Sequence, residues 1–500
     1  MQTNILDWLE ATAAHTPESA AVGDAQQDYT WAQLAENARR AGSFLAGHTA
    51  PRCPVAFYLE KSAPVFAAML GTVYAGCCYS VLDTRQPAAR TQQVLNTLQP
   101  CLLITDRDHA DAAAALGCSC SVYLLEELLT AAVQPSLLAA RRAQAVDVDP
   151  LYINFTSGST GVPKGVTVSH RSVLDFIPQF AAIFGIKAQD ILGNQAPFDF
   201  DVSVKDLYTA LYTGAKVQII PRAYFSQPTK LMDYLADHEV TILVWAVSAM
   251  CFVSIMNGFS YRIPSRVRQV LFSGEVMPVK QMRLWQQALP QTKFINLYGP
   301  SEITCNCTWY PVEREFQDGE VIPAGRAFDG RTVFLLDETG ADITESGKTG
   351  EICVAGESLA DGYYHNEEET ARRFVTGAVP GETGNTRFYR TGDLGYFGED
   401  ENLYFAGRKD FQIKHMGHRI ELGEIETALE TVEGLGRSLC MYDEAKGKIL
   451  AFYEGDLEKK QIVRAIGTRL PGFMIPNVFV KVEEFPLTKN GKIDRKKLEE

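Results

Sequence analysis

Histidine is scarce in this chain, with 8 residues in 500, and the cysteines lack the company that zinc requires. The tightest cysteine pairs, Cys77-Cys78, Cys118/Cys120 and Cys305/Cys307, are too close for ligand spacing and have no partner histidines. The 11 cysteines therefore read as free thiols. Basic residues are also in deficit. Lys and Arg number 47 against 61 Asp and Glu, a formal net charge of -14. That balance excludes a general binder of nucleic acid or of anionic membranes, though not one local basic pocket. The N-terminus has no basic region followed by an apolar core, so no signal peptide is visible. One charge-free run, residues 64–82, is long enough to span a bilayer. It is rich in Ala, Gly, Ser and Cys, which predicts a buried helix running into a strand. Internal repeats and low-complexity tracts are lacking as well.

What is present is an ordinary globular composition, 46% hydrophobic and 22% charged, over a length sufficient for two to four domains. Within it, residues 156–165 read TSGSTGVPKG, with three glycines, four hydroxyl side chains and one lysine. Backbone N–H groups of a Gly-rich turn converge on anions, hydroxyls add donors, and Lys164 adds a point charge. The stretch does not fit GxxxxGK[ST], because five residues after Gly158 stands Pro163 and Lys164 is followed by Gly165. A flexible Gly/Ser linker is the dull alternative. Its flanks, LYINF and GVTVSH, are apolar and β-prone, which pins the loop between two expected strands.

The middle of the chain alternates helical and strand patterns. TKLMDYLADHE precedes VTILVWAV, VKQMRLWQQALPQ precedes KFINLYG, and ARTQQVLNTLQ precedes CLLITD. Such alternation predicts parallel sheets covered by helices, with ligands gathered at the carboxyl ends of strands. YGPSE (298–302) and the loop at 156 occupy such ends. After about residue 330 the segments TVFLLD, GEICVAGE and LYFAGRKD predict a smaller β-rich part. From about residue 411, the helix LGEIETALETV, a hairpin around DEAKGKILAFY, the helix LEKKQIVRAIGTRL and the strand VFVKVEEF predict a compact α+β unit.

Six blocks then stand in order: YINFTSGSTGVPKGVTVSH, INLYGPSE, GEICVAGESLADGYY, YRTGDLG, GRKDFQIKHMGHRIELGEIE and PLTKNGKIDRKKL. Together they resemble the adenylate-forming superfamily over essentially the whole chain. Within it they resemble the amino-acid adenylation domains of nonribosomal peptide synthetases. FSGEVMPVK and the stand-alone length resemble D-alanine–carrier protein ligases. The resemblance implies a large α/β N-terminal domain over 1–409, with helix-covered sheets and a β-rich subdomain. It also implies a small mobile α+β domain over 410–500, with its hinge at Asp410. A plain turn aspartate is the alternative for that residue. The implied reaction is an AMP-forming ligation using ATP and Mg²⁺. A carboxylate attacks the α-phosphate to give an acyl-adenylate and pyrophosphate, and a thiol then takes the acyl group.

Residue roles follow from the same resemblance. Thr156, Ser157, Gly158, Ser159, Thr160, Gly161 and Lys164 would wrap the β- and γ-phosphates. Asn296, Leu297, Tyr298, Gly299, Pro300 and Ser301 would form the adenine block, with the Tyr298 ring against the base. Glu302, a hard oxygen ligand, would hold Mg²⁺. Asp393 would accept from both ribose hydroxyls, with Phe405 and Arg408 beside the nucleotide. Lys492, in TKNGKID, would bridge carboxylate and α-phosphate, and with Thr160 and Glu302 it makes the expected catalytic set. Gly417 would leave room for a pantetheine arm.

For the substrate, the stretch PFDFDVSVKD carries the main clue. By the resemblance, Asp201 aligns with the family aspartate that pairs with an α-ammonium, and because an unpartnered buried carboxylate is costly its presence implies a cationic ligand group. The alternatives are that Asp199 is the aligned residue, or that Asp201 caps a helix. Val202, Lys205, Trp245, Leu271, Ser273, Leu297, Cys305 and Asn306 would complete the pocket. Ser273 and a possible cation at Lys205 depart from the D-alanine ligases, and Lys205 could instead point to solvent. The expected partner is a phosphopantetheinylated carrier protein acting in trans, since no carrier-type LGGxS or GxDSL stretch follows the last block. A cytoplasmic monomer, with no nucleic-acid partner and no membrane span, completes the expectation. The rival readings are an acyl- or aryl-CoA synthetase and a non-catalytic binding relative.

Overall fold

The protein's computed structural model describes residues 3–158, 162–444, 446–486, 495 and 498. It divides into two compact units. One comprises Met1–Thr84, Thr97–Phe155 and Gly165–Lys409; the other comprises Arg85–Asn96, Thr156–Lys164 and Asp410–Glu500. Two short segments of the N-terminal sequence therefore group with the C-terminal residues.

The larger unit contains a nine-stranded sheet. Its interior strands Lys293–Tyr298, Gln269–Ser273, Ile242–Ala246, Ile191–Asn194, Lys216–Ile219 and Ala20–Gly23 run parallel in that order. Short antiparallel strands close both edges. Apolar residues on both faces make these strands continuous hydrophobic runs, as a helix-covered parallel sheet demands. Alternation sends Ile242, Val244 and Leu271 into the main core and Leu243, Trp245, Val270 and Phe272 into a second core with Met250 and Trp285.

A second sheet of seven strands includes Pro54–Tyr58, Cys78–Leu82, Leu102–Thr105 and Pro150–Thr156. The charge-free run at 64–82 forms the buried helix Ala63–Tyr74 and the buried strand Cys78–Leu82. Among the described residues no helix is long and apolar enough to cross a membrane. A five-stranded antiparallel sheet is built on Asn385–Phe397, which pairs with Gly350–Gly356, Phe374–Ala378 and Leu403–Arg408.

The smaller unit has its own core. Ile425 and Leu429 of helix Leu422–Glu430, and Ile462 and Ile466 of helix Lys459–Ile466, pack with Cys440, Ile449 and Ala451 of the three-stranded sheet. A two-stranded hairpin, Gln412–His415 with His418–Glu421, precedes them. Its two turn residues, Met416 at φ 52° and Gly417 at φ 79°, are both left-handed. Tight hairpin turns favour that geometry because it matches the strand twist, and glycine adopts it without a steric penalty. Gly417 thus has a structural reason to be glycine, independent of any channel.

Candidate active site

Helix Val202–Thr213 runs through the main core, and Val202 to Leu211 are all buried. Polar side chains on such a helix have no route to water and need partners inside. Lys205, fully buried, donates from Nζ to Asn306 Oδ1 at 2.8 Å and to Ser273 Oγ at 3.4 Å. The solvent-facing alternative for Lys205 therefore falls. Burial holds its ammonium below the ordinary lysine range, against the pull of Cys305, Asp201 and Asp206.

Asp201 sits at the N-cap position of this helix, but its side chain makes no capping hydrogen bond. The carboxyl is pushed above the ordinary aspartate range, chiefly by burial, while a hydrogen bond with Ser301 and the nearby Lys205 oppose the rise. It is thus a carboxylate in a desolvated place, and an incoming cation would restore its charge.

The segment that meets Asp201 and Lys205 is strained backbone. Thr304 and Cys305, neither of them glycine, have φ of 54° and 76°. Each such residue costs about 1–3 kcal/mol and persists only when surrounding structure holds it. The hold is visible: Thr304 Oγ1 donates to Ser358 O at 2.7 Å, Cys305 Sγ donates to the Asp201 carbonyl at 3.1 Å, and Asn306 accepts from Lys205. Behind this segment lies Gly299. A Cβ there would come within 2.5 Å of Asn306 Cα and 2.8 Å of the Cys305 carbonyl oxygen, both backbone atoms. Gly299→Ala is expected to cost about 1–3 kcal/mol by overpacking. A denaturant melt checks it, and an unchanged midpoint would refute the constraint.

Leu271 and Ser273 lie on one face of strand Gln269–Ser273, with Val244 and Ala246 as lateral partners. Trp245 pairs with Phe272 instead and so points to the other face. Its ring is fully buried against Phe225 and Trp285, and its indole N–H donates to the Gly193 carbonyl at 2.9 Å. Trp245 therefore belongs to the second core and is corrected out of the pocket; a one-residue offset in a strand reverses the face. Val202 and Leu297 are buried in the main core with Leu271.

The second cluster lies where strand Lys293–Tyr298 ends beside Asn385–Phe397 and Leu403–Arg408. Tyr298 OH donates to Asp393 Oδ2 at 2.7 Å, and Arg408 is paired with Asp393 Oδ1. The Asp393 backbone N–H donates to Thr391 Oγ1 at 2.9 Å. Phe405 lies 6.4 Å from the Tyr298 ring, centroid to centroid, at a tilt of 42°. Burial, then the Asp393 charge, drives the Tyr298 phenol far above its ordinary range. Asn296 Nδ2 donates to the Pro323 carbonyl at 2.8 Å, which anchors the strand.

Glu302, in the short helical turn Ser301–Ile303, is buried and accepts from Tyr363 OH at 2.6 Å. Tyr363 OH also meets Tyr389 OH at 3.2 Å. Sequence reasoning gave Tyr363, Tyr389 and Thr391 no role, although GESLADGYY and FYRTGD contain them. Among the described residues no group of three or more His, Cys, Asp or Glu could hold a metal ion. A magnesium ion bound by one carboxylate and substrate phosphates needs no such group, and the hard oxygen of Glu302 fits that mode.

In the smaller unit, the loop after strand Pro150–Thr156 leads into strand Lys164–Ser169. A Cβ on Gly158 would lie 1.9 Å from the Val162 carbonyl oxygen, a backbone atom, so a larger residue fits there only if the backbone shifts. Ser159, Thr160, Gly161 and Lys492 lie outside the described residues.

The profile of the AMP-binding enzyme family matches residues 9–364. The chain belongs to this family. Among curated relatives, zwittermicin A synthase ZmaJ of Bacillus cereus is 32% identical, over 100% of this chain and 95% of that protein. Tyrocidine synthase 3 of Brevibacillus parabrevis is 31% identical over 98% of this chain, which spans only 7% of that protein. Several other relatives are likewise far longer, with 8–14% of their length matched. Among solved structures, holo-PA1221, a nonribosomal peptide synthetase protein with adenylation and carrier domains, superposes with a TM-score of 0.85. It is 25% identical over 99% of this chain and 84% of that one. The Vibrio cholerae adenylation domain AlmE, solved with glycyl-adenosine-5'-phosphate, gives 0.84 at 22% identity over 100% and 98%. The chain thus has the adenylate-forming fold and belongs to the AMP-forming ligase family, with homologues among nonribosomal peptide synthetases and their adenylation domains.

Proposed function

We propose that this enzyme activates an amino acid as its adenylate, with ATP and Mg²⁺, and then passes the aminoacyl group to the phosphopantetheine thiol of a separate carrier protein. The observation that carries the amino-acid reading is Asp201, a desolvated carboxylate that makes no N-cap bond, beside the buried polar cluster of Lys205, Ser273 and Asn306. An α-ammonium is the cation such a group suits. The substrate carboxylate oxygen attacks the α-phosphorus, the bond to the bridging oxygen breaks, and pyrophosphate leaves with the electron pair. The carrier thiolate then attacks the acyl carbon, and AMP leaves.

Positive charge placed where the pentavalent transition state needs it supplies most of the rate in such a step. Lys164 and Lys492 are assigned to that task, with Glu302 holding the metal. Tyr298, Asp393, Phe405 and Arg408 are assigned to the nucleoside. Lys205, Ser273 and Asn306 form a buried polar cluster beside Asp201, which favours a substrate side chain able to accept a hydrogen bond. Tyr152, whose buried hydroxyl has no hydrogen-bond partner among the described groups, adds a second polar position within electrostatic range of Asp201. A cytoplasmic monomer acting with a carrier in trans is the setting this reading implies.

The decisive measurement is exchange of labelled pyrophosphate into ATP over a panel of L- and D-amino acids and of fatty and aryl acids. Exchange with an amino acid is expected. Exchange only with the other acids would replace the reading with an acyl- or aryl-CoA synthetase, the class of MenE, another neighbour in fold. Loading of holo-carrier in preference to free coenzyme A is expected; fast loading of coenzyme A and of no carrier would overturn the second half.

A further inference from the structure

Lys61 lies between the strand Pro54–Tyr58 and the helix Ala63–Tyr74, far in sequence from every residue assigned above. Its ammonium reaches the end of strand Ile191–Asn194. Nζ is 3.0 Å from the Asn194 carbonyl, 3.0 Å from Asn194 Oδ1, 2.8 Å from the Gln195 carbonyl and 3.3 Å from the Ala196 carbonyl. Three N–H protons thus serve four oxygens on three consecutive residues. Asn194 in turn donates from Nδ2 to Asp206 Oδ2 at 2.9 Å. Asp206 is on the helix that begins after Asp201, and both Asn194 and Asp206 are fully buried. Gln195 Oε1 accepts from the Ala246 backbone N–H at 3.3 Å, tying the same segment to the neighbouring strand.

The chain between Asn194 and Asp206 is the segment that presents Asp201. It leaves the sheet at Asn194 and re-enters regular structure at Val202. Both ends meet in one cluster, with the cation at the outgoing end and the carboxylate at the returning end. Charge favours this arrangement. Burial pulls the Lys61 ammonium down to about 7 and pushes the Asp206 carboxyl up to about 7, and each group's charge supports the other's. The nearby Asp199 carboxylate adds to the support of Lys61.

We propose that Lys61 is a positioning residue for the amino-acid site: it clamps residues 194–196 and so sets where Asp201 stands. The proposal rests on the reading of Asp201 as the partner of the substrate ammonium. The ATP-side cluster around Tyr298, Asp393 and Arg408 has no part in the clamp. Loss of Lys61 therefore acts on the amino acid and not on the nucleotide.

The test is pyrophosphate exchange by the full chain carrying Lys61→Met, with KM measured separately for amino acid and ATP. The expected result is an amino-acid KM raised about tenfold or more, since three or four charge-assisted hydrogen bonds are lost. The ATP KM should stay within about twofold, and Lys61→Arg should recover part of the loss. If Lys61→Met is not recovered folded by circular dichroism, Lys61→Gln, which keeps two N–H donors without the charge, takes its place. An unchanged amino-acid KM in the folded variant, or an equal rise in both KM values, would overturn the clamp. Failure of the unsubstituted chain to exchange with any amino acid is a separate outcome. It would remove the amino-acid reading and the clamp with it.

Discussion

Asp201→Ala is expected to lower kcat/KM for the amino acid by roughly 10²–10³-fold, because breaking a buried charge pair costs about 3–5 kcal/mol. The geometry explains why so little compensation is available. Burial already disfavours the carboxylate's charge, and its neighbour Lys205 is committed to Asn306 and Ser273. The Asp201 side chain makes no N-cap bond to the helix beginning at Val202, so the substitution removes only its contacts with Ser301 and the Val202 backbone N–H from the helix start. Stability and activity therefore separate: a small change in melting temperature with a large loss of turnover is the expected pair of observations. Des-amino analogues of the substrate should be poor for the unsubstituted protein for the same reason. The pH dependence has a definite sign. Burial raises the Asp201 pKa, and the protonated acid cannot pair with an ammonium. The KM for the amino acid should therefore rise as pH falls through that raised pKa. Intact amino-acid turnover in Asp201→Ala would place the ammonium contact elsewhere.

Lys492→Ala should slow adenylate formation by about 10²–10³-fold, the usual loss when one positioned charge is removed from a transition state. Thioester formation from supplied adenylate should survive, because the lysine is assigned only to the meeting of carboxylate and α-phosphate. Lys492 lies outside the described residues, so the assignment rests on its motif, PLTKNGKID, read within an established family. Asp410→Pro should do the reverse. Fixing φ at an element end opposes the backbone change that a hinge must absorb. Single-turnover assays of the two half-reactions distinguish these cases, and equal losses in both steps for both variants would refute the division of labour.

Local pattern carried much of the architecture. The apolar runs VTILVWAV, KFINLYG and CLLITD are buried strands, and the helical patterns before them are the helices that cover the sheets. The change to short Gly-punctuated β segments after residue 330 is the antiparallel five-stranded sheet. These features were legible because side-chain periodicity and turn chemistry are properties of a few adjacent residues. The same locality explains the error at Trp245. A large apolar residue at the end of a strand that is hydrophobic on both faces gives no sign of which face it takes. Only the register with Phe272 and Ser273 decides it.

The sequence by itself determined the family, because the ordered blocks place glycines, hydroxyls, carboxylates and lysines in recognisable strings. It could not determine the company each side chain keeps. Lys205 had a solvent-facing alternative until the helix around it was seen to be buried from Val202 to Leu211. Tyr363 was one letter in a motif until its hydroxyl was found on Glu302, 61 residues away in the chain. Lys61, Asn194 and Asp206 share no motif at all. Their meeting depends on one strand end, one loop and one helix being brought together by packing, and the high cost of leaving a buried charge unpartnered makes such meetings obligatory once the chain has folded.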